Sequence, residues 1–257
     1  MMTSDPAPPL TRESSRQQDA IPARMETAVQ GRSSRSIPKT LIVEPVAASV
    51  IRPLIATKHY LQSMQPATRL CFGVWLDGEL AGGIVFTNGS RNGHRLLAAA
   101  QPHEVVTLAR LWLRDDLPRN SESRVLGVAL RYLKRYTDWK LVISYADPGA
   151  GHVGTIYQAS GWLYLGQGEP TSYVRLPDGA LHHPRSIYDQ YGSNRINHLR
   201  CTGIDAVRVA VPGKHRYVYV LDPAWRWRIT APVLPYPRTG GRGPPASAAA
   251  PLDGDPT

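Results

Sequence analysis

Between Val105 and Gly166 the order of apolar runs and turn formers leaves the chain few ways to fold. Val105-Val106-Thr107-Leu108-Ala109-Arg110-Leu111-Trp112-Leu113 has the content of a buried strand. A polar loop from Arg114 to Ser123 follows, and Arg124-Val125-Leu126-Gly127-Val128-Ala129 opens a helix expected from Ser123 to about Arg135. That helix gathers Val125, Leu126, Ala129, Leu130 and Leu133 on one face. A second apolar strand, Leu141 to Tyr145, leads into Gly154-Thr155-Ile156-Tyr157-Gln158-Ala159-Ser160-Gly161-Trp162, a short helix and then another strand. An Arg-x-x-Gly-x-Ala turn between a strand and a helix is suited to a pyrophosphate. Gly127 lets backbone N–H groups turn into the loop, and the helix N-terminus supplies a positive field.

Around this core, Leu41 to Val46 reads as a first strand, and Ala47 to His59 as a helix interrupted by Pro53. Leu70 to Trp75 and Leu80 to Phe86 flank an Asp77-Gly78 pair, a strong hairpin signal. Tyr217 to Leu221 is the last clear strand. The economical architecture is an α/β (α+β) domain, a central mixed sheet flanked by helices, over about residues 39–238. The ends differ in composition. Residues 1–38 are rich in Ser, Pro, Arg and Gln, and residues 239–257 in Gly, Pro and Ala; both are expected to be disordered tails.

A formal charge of +10 favours a polyanionic partner, nucleic acid before a membrane surface. From 173 to about 230, and most densely from His182 to Arg228, basic groups alternate with rings. Arg185, Arg195, Arg200, Arg208, Lys214, His215, Arg216, Arg226 and Arg228 are interleaved with Tyr188, Tyr191, Trp225 and Trp227, a pattern offering phosphate contacts and stacking surfaces. Asn88 to His94 reads as a mobile loop that either contacts DNA or only closes a hairpin. Cys71 and Cys201 make no metal motif, Cys71 reads as core, and a reducing compartment is expected. No apolar run is long enough to span a bilayer and no signal core opens the chain, so a soluble, cytoplasmic protein without a membrane partner is expected.

The strand–turn–helix–strand order, followed by Gly-x-x-Tyr-x-x-x-Gly-aromatic, resembles the acyl-CoA core of the GNAT acyltransferases. Longer strings are more specific. Lys58-His59-Tyr60, Leu117-Pro118-Arg119-Asn120-Ser121-Glu122-Ser123-Arg124, Ile143-Ser144-Tyr145-Ala146-Asp147, Gly154 to Gly161, Arg216-Tyr217-Val218-Tyr219 and Pro232-Val233-Leu234-Pro235 resemble the Mom proteins, GNAT-like phage enzymes. The chain departs from that pattern at Ala109, where the family tends to carry Asn, and at Tyr145, where it carries Phe.

The resemblance implies conversion of adenine in double-stranded DNA to N6-(methylcarbamoyl)adenine, an anti-restriction modification made in the host cytoplasm. It implies acetyl-CoA or a related acyl donor, and raises an iron ion. The catalytic positions it carries over are His59, Arg110, Ser123, Asp147 and Tyr157. His59 with Asp147 forms the candidate metal pair, and Arg119, Asn120, Ser121, Arg124, Gly127 and Ala129 would hold the donor. Each position also has a plainer reading. Asp147 precedes Pro148 and can shape a turn. Tyr157 can be a core phenol, although a phenol at this place can also protonate a leaving group. A lone His59 is usually structural, but it suits base chemistry near neutral pH. Arg110, buried on a strand, needs an anionic partner, which Asp147 or a phosphate would supply. Ser123 is a favoured helix cap, and Glu122 is expected to pair with Arg119 or Arg124. Two other functions fit the same residues: an N-acetyltransferase acting on a small amine or a protein, and a non-catalytic DNA-binding protein on a GNAT scaffold.

Overall fold

The computed structural model describes residues 25–28, 40–59, 63–65 and 67–237. Most of both expected tails lies outside the described residues. The exception is β1 (Met25–Ala28), which pairs antiparallel with β2 (Thr40–Val46), so part of the N-terminal segment read as disordered forms the outer strand of the sheet.

The sheet has eight strands in the order β1-β2-β3-β4-β5-β6-β11-β7. The remaining members are β3 (Thr68–Leu76), β4 (Glu79–Asn88), β5 (Val105–Leu113), β6 (Leu141–Ala146), β7 (Leu163–Gln167) and β11 (His215–Val220). β3 and β4 close through Asp77 and Gly78, whose φ angles of 51° and 84° are the paired left-handed values a two-residue hairpin requires. β5 and β6 are the parallel pair, and they pair only from Val105–Leu141 to Thr107–Ile143. Beyond Thr107, β5 stays with β4 as far as Leu113 while β6 continues with β11, so the sheet splits between its two middle strands.

Helices cover both faces. α1 (Ala48–Lys58) buries Ile51 and Ile55 against Cys71 and Val85. Pro53 lies inside it without ending it. On the other face α2 (Ser121–Tyr136) buries the predicted stripe Val125, Leu126, Ala129, Leu130 and Leu133 with Val128 and Tyr132, alongside α3 (Thr155–Ala159). α2 starts two residues earlier than the sequence suggests. Asn120 takes φ 67°, a left-handed value that Asn tolerates better than most residues, and the chain turns into the helix there.

Between β7 and β11 the chain builds a unit that the sequence pattern does not announce. β8 (Thr171–Arg175), β9 (Leu181–His182) and β10 (Val207–Val211) form a separate sheet in the order β10-β8-β9, with α4 (Pro184–Tyr191) and α5 (Ile196–Cys201) alongside. Val174, Ile187, Ile196, Leu199 and Ala206 give it its own small core. The segments entering and leaving it are clamped together. Gln167 Nε2 donates to the Gly213 carbonyl at 2.8 Å, and the Gly168 amide to the Lys214 carbonyl at 3.0 Å. A Cβ on Gly213 would lie 1.9 Å from the Gly168 oxygen, so the two backbones touch only because glycine stands there.

Candidate active site

A cavity of about 460 Å³ opens where β5 and β6 part. Its wall draws on separate parts of the chain: Lys58 and His59 at the end of α1, Leu108 to Leu113 of β5, Asp115 and Glu122 near the start of α2, Tyr145 to Asp147, and Gly151 to Tyr157. His59, Arg110, Asp147 and Tyr157, read separately from the sequence, therefore share one cavity.

His59 is 6% exposed and lies beside Arg110 and His152. Burial, reinforced by the Arg110 and His152 charges, lowers its pKa to about 4, so the imidazole is neutral at pH 7. Arg110 is 5% exposed. Its Nε donates to the Ser63 carbonyl at 2.9 Å and its terminal nitrogens to the Ala109 carbonyl at 2.7 Å and to Ser63 Oγ at 3.3 Å. These Ser63 and Ala109 oxygens are neutral, where the sequence suggests an anion such as Asp147. Asp147 does two other things. Its Oδ1 accepts the Gly149 amide at 2.9 Å, shaping the turn before Gly151, and its Oδ2 lies 3.2 Å from Lys214 Nζ.

Tyr157 sits at the apex of the split, 8% exposed, its ring against Trp162 and Tyr217 at 5.0 and 5.1 Å. Ser144 Oγ lies 3.0 Å from the Leu108 carbonyl and 2.7 Å from the Tyr157 hydroxyl. A serine has one proton, and a carbonyl can only accept. With that proton on Leu108, the phenol donates to Ser144 and turns its oxygen lone pairs outward. Ser144, 1% exposed, thus bridges the strands where their ladder ends and fixes Tyr157. The sequence reading missed it, because a small residue in an apolar strand looks like core filler. Gly154 has φ 82°, and a Cβ there would lie 2.3 Å from the Tyr217 ring. The Tyr217 hydroxyl donates to the Val153 carbonyl at 2.6 Å, holding this side of the wall.

The donor-binding set fares differently. Arg119, Asn120 and Arg124 are exposed around the first turn of α2, and the amides of Glu122 and Ser123 have no carbonyl within the helix to bond. Ser121, however, is 3% exposed and its hydroxyl donates to the Pro118 carbonyl at 2.6 Å. Ala129 is fully buried in the main core, and Gly127 lies within α2 instead of in the loop, so neither shapes a phosphate turn. Ser123 is not the cap: Asn120 precedes the helix, and Ser123 Oγ donates to its carbonyl at 3.0 Å. Ser123 also stands outside the cavity wall. Among the described residues Glu122 forms no ion pair and instead lines the cavity. In the basic segment, His215 is 8% exposed and bonded through Nδ1 to the Tyr164 hydroxyl at 2.9 Å, and Arg208 donates to Ser172 Oγ and the Asn194 carbonyl, so neither is a free surface group.

Iron does not fit these residues. Among the described residues no group of three or more His, Cys, Asp and Glu side chains is placed to hold an ion. The Asp147 carboxylate faces the Lys214 ammonium and His59 faces Arg110, so both candidate donors look onto positive charge.

A mixed sheet thus parts over this cavity, with the N-terminus of α2 at its rim. The Mom protein family matches residues 40–238, and the chain belongs to that family. It is 32% identical over 207 residues to the methylcarbamoylase Mom of Escherichia phage Mu, covering 78% of this chain and 85% of that protein. Among solved structures, a Bacillus subtilis acetyltransferase in complex with CoA is similar at a TM-score of 0.40 and 12% identity, over 70% of this chain and 98% of the other. An N-acyl amino acid synthase from uncultured soil microbes is similar at 0.42 and 12%, over 75% and 96%. No helix among the described residues is long and apolar enough to cross a membrane.

Proposed function

We propose that this chain modifies adenine in double-stranded DNA at N6, installing the methylcarbamoyl group that shields phage DNA from restriction in the host cytoplasm. The observation that carries this reading is the convergence of His59, Arg110, Asp147 and Tyr157 on one cavity, in a chain of the Mom family. The adenine amino group is a weak nucleophile because its lone pair is spread into the ring, and it is out of reach inside a duplex. The base must be turned out into a pocket. His59, uncharged at pH 7, accepts the proton that the amino nitrogen loses as its new bond to carbon forms. Arg110, held rigidly by Ser63 and Ala109, faces the negative charge that builds on the incoming group. Asp147, tied to Lys214, sets the turn carrying Gly151 to Gly154, and Tyr157 orients the group at the apex of the split.

An acyl donor of the CoA type fits the rim. The free amides of Glu122 and Ser123, with Arg119 and Arg124, would hold its phosphates, and the edge of β5 released by β6 would take its arm. Held there, such a donor would supply a carbonyl carbon activated for attack, whose bond to the CoA sulfur breaks, the thiolate leaving, as the bond to N6 forms. The test is mass spectrometry of nucleosides from plasmid DNA of cells expressing the chain, beside Asp147→Asn and Tyr157→Phe. An adenosine heavier by the methylcarbamoyl group, lost in the variants, is expected. Unmodified adenine with abundant folded protein would refute the reading.

A further inference from the structure

Two stretches far apart in the sequence meet on the face of the sheet that carries α1. The chain after β11 makes a short 3-10 helix, Pro223–Arg228, whose Trp225 packs against the cluster that contains Leu97, Val105 and Val218. The loop after β4 lies against it. The Ala98 amide donates to the Arg228 carbonyl at 2.8 Å, the Thr230 amide to Leu96 at 3.1 Å, and Thr230 Oγ1 to Arg95 at 2.7 Å. The loop from Asn88 is thus anchored at its far end, from Arg95 to Ala98. It closes turns of its own, from Gly93 to Ser90 and from Arg95 to Asn92. The result is a ridge of positive charge and rings. The Arg228 guanidinium sits over Trp225 at 4.3 Å and over Trp227 at 4.9 Å, and Arg91, Arg95 and Arg226 are exposed on the same two segments. Trp227 is 77% exposed, a large apolar surface left to solvent with one face stacked by an arginine. The carboxylate of this turn, Asp222, is spent on the Ala224 amide and on Lys140, 4.0 Å away.

We infer that this ridge, Arg91 and Arg95 with Arg226, Trp227 and Arg228, grips the sugar–phosphate backbone of duplex DNA away from the base being modified. The inference rests on the DNA reading above. Among the described residues these arginines face no carboxylate, which suits phosphates, and a ring stacked by guanidinium suits a sugar edge or an end base. Position agrees with this role. The ridge lies over the start of β6, where Lys140 reaches Trp225, and the cavity lies at its end, with Tyr145 on the same face. β6 runs Leu141–Ala146, and five steps of about 3.3 Å make the separation about 17 Å. Along a duplex, with base pairs about 3.4 Å apart, this places the ridge roughly five base pairs from the target base. A grip at that distance holds the helix while one nucleotide leaves the stack.

The experiment measures binding of the purified full chain to a fluorescent duplex of about 24 base pairs by anisotropy over a salt series, with plasmid modification measured alongside. Arg226→Ala should lower the slope of log affinity against log salt by about one, and Arg226→Ala with Trp227→Ala should weaken binding about tenfold with unchanged melting temperature. Plasmid modification should fall with it. If the wild type binds and modifies DNA but the double variant matches it in affinity and slope, the ridge is not the grip and the DNA reading stands. A wild type that neither binds duplex nor modifies plasmid ends both. A wild type that prefers single-stranded RNA of the same length overturns the duplex assignment.

Discussion

Gly151 and Gly154 line the same cavity with similar backbone angles, φ 74° and 82°, yet they should respond differently to the same substitution. In either case alanine must hold a left-handed angle, at roughly 1–2 kcal/mol, partly offset by a stiffer unfolded chain. At Gly151 nothing lies within 4 Å of a new Cβ, so that cost is the whole effect. At Gly154 the methyl would meet Tyr217 Cε2 at 2.3 Å and its Cζ at 2.7 Å, on a ring that is fully buried and bonded to Val153. Overpacking of this kind adds about 1–3 kcal/mol. For a body of this size, at about 2–4 °C per kcal/mol, Gly151→Ala should melt about 2–4 °C lower and Gly154→Ala about 5–15 °C lower. Differential scanning fluorimetry reads both. Gly154→Ala should also lose plasmid modification below its melting point, because displacing Tyr217 moves the wall at Val153. If the two variants melt within 2 °C of each other, contact with Tyr217 is not what demands glycine.

Two other outcomes follow from the site. The folded chain holds His59 at about 4 against 6.5 unfolded, so the unfolded chain binds more protons between those values. Stability should therefore fall as pH drops from about 6.5 to about 4, and His59→Gln should flatten that fall in urea titrations; equal slopes would contradict the burial argument. Lys214→Met removes a part-exposed ion pair, with side chains 41% and 19% exposed, so stability should change by less than about 1 kcal/mol. Releasing the Asp147 turn should nevertheless cut plasmid modification about tenfold, and full modification would show that the pair does not position the loop.

How much the sequence showed depends on how local the cause was. β5 spans the residues its pattern predicts, and Asp77-Gly78 closes its hairpin, because apolar content and turn chemistry act over a few residues. The start of α2 was misplaced because an Asn in a left-handed conformation opened it, where a Ser three residues on looked like the cap. The Ser63 and Ala109 carbonyls that hold Arg110 left no trace in the sequence, because every residue carries a backbone oxygen. The small second sheet was unreadable because its strands are short and its core draws one or two residues from each of four places along the chain. The convergence of Arg95 to Ala98 with the segment from Arg228 to Thr230 is a long-range event that no local pattern encodes.

The clamp between Gln167–Gly168 and Gly213–Lys214 makes the small sheet a graft with one joint. Its two ends leave the main body at the same point, so the chain from Glu169 to Pro212 could be exchanged or trimmed without separating β7 from β11. Exchanging that appendage should therefore leave the main sheet intact, provided that Lys214, which emerges from the joint, still reaches Asp147.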